Sequence, residues 1–321
     1  MRRAPAAPVV ALALALAALG ASCRGKADRG VPVAGAAQPK AVDWARPESA
    51  LQLSAGDVAA RAGSFEWEAE VRWTVGRGPG SRTVTTTERH QIRQLAGGEF
   101  EVENVLDAGR GPEGETGRTV IFAGGTTYGG SRYGALRERA SDRGRDARRF
   151  RDESFRLAGE LDRLAGGALR LSAAGEAQLL GRTARRFTVT LDPSARAQPA
   201  AAPAGRVEDA DTKARLELLE GATPLAADGE VLLDAESGLP LRARLHVAYG
   251  LASDPQLRAD VDLDTHVTAL GGAVAPVRAP KHALADERKP NGPARALEAS
   301  GLREHGRPAG AEEAPEDEPA E

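Results

Sequence analysis

Phe65-Glu66-Trp67-Glu68-Ala69-Glu70-Val71-Arg72-Trp73-Thr74-Val75 alternates without a break, apolar at every odd position and polar at every even one. Period two sustained over this length predicts a long, half-buried β-strand with Phe65, Trp67, Val71 and Trp73 on its buried face. Moving outward, Gly76 to Gly80 supplies a turn and Thr83–Leu95 the next strand. Gly97-Gly98 then leads into a strand over Glu99–Leu106. Gly124-Gly125, between the runs Arg118–Ala123 and Thr126–Tyr133, is a hairpin signature. These elements form an antiparallel meander with short turns.

Phe155, Ala158, Leu161, Leu164 and Ala165 recur at helical spacing, which predicts an amphipathic helix over 152–166 ended by Gly166-Gly167. A shorter helix over 54–62 is signalled by Ser54 and Asp57, an S-x-x-D start. Strands resume near Ala177–Leu180 and Arg185–Leu191, and an Ala/Pro-rich connection covers 192–211, with Lys213–Glu220 after it. The second strong signal is the run Gly229 to Leu241, in which Asp234 can bond into a turn and Gly238 can take the left-handed conformation that closes it. The returning strand places Leu239, Leu241, Ala243, Leu245, Val247 and Tyr249 on one face. The last strand, Ala259–Leu270, does the same with Val261, Leu263 and Val267. Roughly ten strands with few helices predict a mainly β fold, a curved antiparallel sheet or incomplete β-barrel with a covering helix.

Over residues 53–275 this arrangement resembles the periplasmic lipoprotein-carrier and lipoprotein-receptor superfamily, the Lol type (LolA/LolB/LppX-like). The resemblance rests on strand order, on the helix after the fifth strand, and on the G-x-V-x-L-D-x-x-S-G-x-P hairpin from Gly229 to Pro240. It implies a half-open barrel covered by helices, with a concave apolar face that holds acyl chains or whole lipids. Phe65, Trp67, Val71 and Trp73 are then the expected ligand-lining residues; without the resemblance they read as core. No residue motif for a lipid site carries over.

The N-terminus adds an address. Arg2 and Arg3, the apolar run Ala6–Leu19, and then Gly20, Ala21 and Ser22 have the order of a secretory signal peptide over 1–22. The apolar run is too short for a membrane-spanning helix, which needs about 20 residues. Leu19-Gly20-Ala21-Ser22-Cys23 resembles the lipobox of bacterial lipoproteins, with Gly20 where the family usually has leucine. By that resemblance the Cys23 thiol is joined to diacylglycerol and the new amino terminus is acylated, typically with palmitate. Cys23 is the only cysteine of the 321 residues, and lipidation accounts for both its solitude and its position. Simple secretion, with a cut near Ala21 or Ser22, is the competing reading. Two or more acyl chains anchor a protein stably. By the same resemblance, Arg24, where aspartate would retain such a lipoprotein in the inner membrane, favours the outer membrane, with the periplasmic face expected over the cell surface. Residues 23–52 read as a lipidated tether, and 276–321 as an extended, acidic, disordered tail.

Motifs for chemistry are missing from the sequence. It has no G-x-S-x-G, P-loop, H-E-x-x-H or paired-cysteine spacing, so no catalytic residue, cofactor or metal is expected. Asp260, Asp262 and Asp264 alternate on one strand face, but Thr265 and Gly271 stand where a calcium loop needs Gly and Glu. Cross-strand pairing with Arg242, Arg244 and His246 explains that acidic row. Between Arg132 and Arg156 lie nine arginines and five acidic residues, a lipid-headgroup contact or simply a solvated mixed-charge connection. A net charge of −3 and the export signal argue against nucleic acid. The expectation is a non-enzymatic outer-membrane lipoprotein that binds or transfers a hydrophobic ligand, a lipid or an acylated protein. The alternative is an envelope scaffold or adaptor with a packed barrel and no ligand. The chain names no protein partner.

Overall fold

A computed structural model describes residues 39–78, 83–109, 115–139, 143–192, 194, 221–251 and 254–285. The segment 1–22 expected to be a signal peptide, Cys23, the start of the expected tether, Lys213–Glu220 and the acidic C-terminal segment lie outside the described residues. One compact unit runs to Leu284; of the second, 285–321, only Ala285 is described.

The alternating run at 65–75 is strand β1, Phe65–Gly76, and its odd positions are buried throughout. Next come β2 (Val84–Gln94), β3 (Phe100–Asp107), β4 (Glu115–Ala123), β5 (Thr126–Ser131) and β6 (Arg137–Arg139), each antiparallel to the one before. After two helices come β7 (Leu169–Leu179), β8 (Arg182–Leu191), β9 (Ala222–Asp234), β10 (Pro240–Leu251) and β11 (Asp254–Leu270). A two-residue β12 (Leu284–Ala285) begins beside β6, where the Leu284 N–H donates to the Leu136 carbonyl. The order is β12-β6-β5-β4-β3-β2-β1-β11-β10-β9-β8-β7. The last long strand therefore returns to pair with the first, and β1 lies mid-sheet between β2 and β11. The curved sheet does not close, which agrees with the incomplete barrel expected from the sequence.

One face of this sheet is the core. Trp67, Val71, Ile92, Val102, Val120, Leu241, Leu245, Val261 and Leu263 all point into a single buried cluster, with Val231, Leu233, Phe187 and Leu169 continuing it towards the far edge. The cover comes from α1 (Ala55–Ala62), α2 (Arg145–Phe155) and α3 (Leu157–Leu164). Helix α1 starts at the expected capping box: Asp57 N–H donates to Ser54 Oγ at 3.0 Å, and Ser54 N–H to Asp57 Oδ2 at 3.1 Å. Ser54→Ala is expected to cost about 0.5–2 kcal/mol in urea denaturation, since it strands a helix-start donor. An unchanged midpoint would show that the cap does not limit stability.

Two expectations need correction. The helix predicted over 152–166 is instead α2 and α3, broken at Arg156, whose ψ of 32° leaves the helical region. Its first turns went unseen because they are Arg-rich, and one of those arginines, Arg151, is buried. Strand β7 starts at Leu169 and not near Ala177. Residues 172–176 are exposed on both faces at the end of the sheet, so no alternation marks them.

Candidate functional site

Phe65, Trp67, Val71 and Trp73 share the inner face of β1, and each is at most 2% exposed. Phe65 and Trp67 are tied to α2, since the Phe155 ring lies 5.7 Å from Phe65 and 5.3 Å from Trp67, centroid to centroid. Trp73 has no aromatic partner among the described residues. Helix α3 is held from the opposite side, where the buried Tyr249 hydroxyl donates to the Leu161 carbonyl at 2.9 Å. Burial pushes that phenol's pKa up, keeping the hydroxyl a donor.

The inner face also carries polar side chains that the sequence reading did not single out. Thr86, Glu88, His90 and Gln94 of β2, Asn104 of β3 and Thr265 of β11 are all buried. The β1 register shows how they meet. Trp73 pairs with Thr86, Val71 with Glu88, and Ala69 with His90 on one side and Thr265 on the other. His90 Nδ1 lies 3.4 Å from Asn104 Nδ2, and His90 Nε2 lies 3.4 Å from Glu88 Oε2. A second polar knot ties α2 to the sheet. Arg151 bonds Gln94 Oε1 at 3.0 Å and Asp152 at 2.8 Å, and its guanidinium lies over the Phe100 ring. Burial raises the Asp152 pKa, with Arg151 opposing the shift.

The sequence held one signal for the inner polar group. Thr86, Glu88, His90, Ile92 and Gln94 are alternate residues of one strand, so they had to share a face. Only pairing with β1 shows that the face is the inner one.

On the outer face charges cancel. Arg244 meets Asp264 at 3.0 Å, His246 meets Asp262 at 2.9 Å, and Arg258 meets Asp260 at 3.1 Å. Asp264 and Asp262 are thus paired across strands as expected, whereas Arg242 stands opposite His266 and the guanidinium on Asp260 comes from Arg258 of the same strand. Part of the Arg-rich stretch is engaged within the fold. Arg132 bonds Glu103 and Glu115, each at 2.9 Å, Arg151 is buried, and Arg148 lies over the Phe122 ring.

No protein-family model matches this sequence, and a comparison with curated proteins finds no match. Among solved structures, an outer membrane lipoprotein-sorting protein domain from Vibrio parahaemolyticus is similar at 9% identity, over 65% of this chain and 88% of that one, with a TM-score of 0.20. A DUF1329 family protein from Desulfovibrio piger is similar at 10% identity, over 71% and 96%, with a TM-score of 0.21. The MucA/MucB complex of Pseudomonas aeruginosa is similar at 15% identity, over 74% and 62%, with a TM-score of 0.23. At such TM-scores these likenesses carry no argument about what this chain does.

Proposed function

We propose that this chain is an envelope lipoprotein, anchored in the outer membrane through Cys23, whose curved sheet binds or passes on a hydrophobic molecule, a lipid or an acylated protein. The supporting observation is the inner face itself. Apolar side chains line it from Val120 of β4 to Leu169 of β7, interrupted by the polar residues of β2 and by Asn104 and Thr265, on a sheet whose two ends do not meet, and only short helices cover it. A wall of this kind offers area for an alkyl chain, at about 0.8 kcal/mol per buried CH₂. The near-complete burial of Trp67 and Trp73 favours a second reading, a packed scaffold without a ligand.

Native mass spectrometry of the full-length Cys23→Ala chain separates the two. Retention of host lipid on the folded protein is the result expected for a carrier, whereas a bare mass would leave the scaffold. The same variant checks the anchor. Cys23→Ala is expected to move the protein from the membrane to the soluble fraction while leaving its far-UV circular dichroism unchanged, because two or more acyl chains are needed for stable attachment. Firm retention in membranes would remove lipidation as the anchor.

A further inference from the structure

We propose that the inner face of β1, between Trp67 and Trp73, is a headgroup site for an uncharged, hydrogen-bonding amphiphile of the monoacylglycerol kind. The proposal rests on the hydrophobic-ligand reading above and names the ligand's polar end.

The first observation is the layout. Along β1 the two indoles lie six residues apart, about 20 Å at the rise of an extended strand. Between them the wall falls to the small side chains of Ala69 and Val71. His90 and Thr265 flank Ala69, Glu88 and Leu263 flank Val71, and Thr86 and Val261 flank Trp73. The patch therefore has small apolar residues at its centre, polar atoms beside them and an indole at each end.

The second observation is that its polar atoms have no partners. Trp67 Nε1, Trp73 Nε1, Thr86 Oγ1, Thr265 Oγ1 and His90 Nε2 are all buried, and none makes a hydrogen bond. The Glu88 oxygen 3.4 Å from His90 Nε2 lacks the geometry of one. Buried polar groups in native interiors are nearly always satisfied, and a stranded one carries the full cost of desolvation. Five such atoms on three adjacent strands, facing the same side, mark a place that takes up hydrogen-bonding atoms.

The chemistry of the set selects the head. Two indole N–H groups only donate, two hydroxyls donate or accept, and an imidazole nitrogen does one or the other. That combination suits hydroxyls and an ester carbonyl. A carboxylate head would share this buried site with the Glu88 carboxyl, and two carboxyl groups in one buried site disfavour the doubly charged state. Arg151 is already engaged with Asp152 and Gln94, and Arg118, paired with Asn104 in register three strands beyond β1, is exposed and stacked over Phe150. Val71, Ile92, Leu245, Val261 and Leu263 line the same face for the alkyl chain.

The test uses the full-length Cys23→Ala chain with Trp44→Phe added, so that the remaining indoles are Trp67 and Trp73. Their fluorescence is followed while 1-monooleoylglycerol or oleate is titrated. A saturable change with monooleoylglycerol, at least tenfold tighter than with oleate, is expected. Thr265→Val and Thr86→Val, which keep shape and lose the hydroxyl, should each weaken monooleoylglycerol about three- to tenfold at a urea midpoint no lower than the parent's. Glu88→Gln should strengthen oleate. Equal or tighter binding of oleate by the parent chain overturns the headgroup site and leaves the hydrophobic-ligand reading intact. Binding of neither probe overturns both. Binding of monooleoylglycerol that ignores all three substitutions overturns the assignment of the site.

Discussion

Trp67→Ala is expected to destabilise the domain by about 3–5 kcal/mol, the cost of a large cavity in a packed core. The indole is buried, and Phe155 packs on it from α2 while also touching Phe65, so its loss removes contacts that join helix to sheet. Trp73→Ala, without an aromatic partner among the described residues, is expected to cost less and to change binding of a fluorescent monoacylglycerol more. Urea denaturation of both variants, with probe titration, reads the contrast. Large and equal losses in the two, with no probe bound by the parent chain, would mean that β1 lines a filled core from end to end. The carrier would then give way to the scaffold.

Gly238→Val is expected to be the most damaging turn substitution, at about 2–5 kcal/mol. Two effects add. Gly238 sits at φ +74°, where a β-branched residue is strained by about 1–3 kcal/mol. A Cβ there would also collide with Val42 Cγ2 and press within 3.3 Å of Leu53 Cδ1, and such overpacking costs about 1–3 kcal/mol more. The turn has little slack to absorb either. Asp234 Oδ2 accepts from the Ser237 N–H at 2.9 Å, Ser237 Oγ accepts from the Leu239 N–H at 3.2 Å, and Gly238 N–H donates to the Asp234 carbonyl at 2.9 Å. Adding Val42→Ala should return the steric part and leave the backbone strain. A double variant no better than Gly238→Val alone would show that the backbone strain dominates, and an unchanged melting curve in the single variant would refute the turn geometry.

The local elements were legible wherever a segment faces two different environments. Strand β1 alternates because one side meets the core and the other meets water, so Phe65 to Val75 declared its own conformation and its inward residues. The hairpin at 234–239 was equally plain, since an Asp and a Gly at fixed offsets satisfy a turn's own bonds. The Ser54–Asp57 cap was legible for the same reason, its chemistry lying within four residues. Where both faces share one environment the signal vanished, as for the exposed residues 172–176 of β7 and the arginines opening α2.

The sequence by itself thus determined most of the long strands, where the decisive turns fall, and that the single cysteine stands at position 23, just after an apolar run. Only the tertiary structure decided that β11 returns to β1, that the sheet stays open, and that Thr86, Glu88, His90 and Thr265 meet beside Ala69 and Val71. The physical reason is range. Alternation and turn chemistry act over a few residues, whereas the inward turn of β2 and the partners of a buried polar atom depend on pairings between strands far apart in the chain. Ala69 and Thr265 are neighbours through such a pairing, and no local pattern records it.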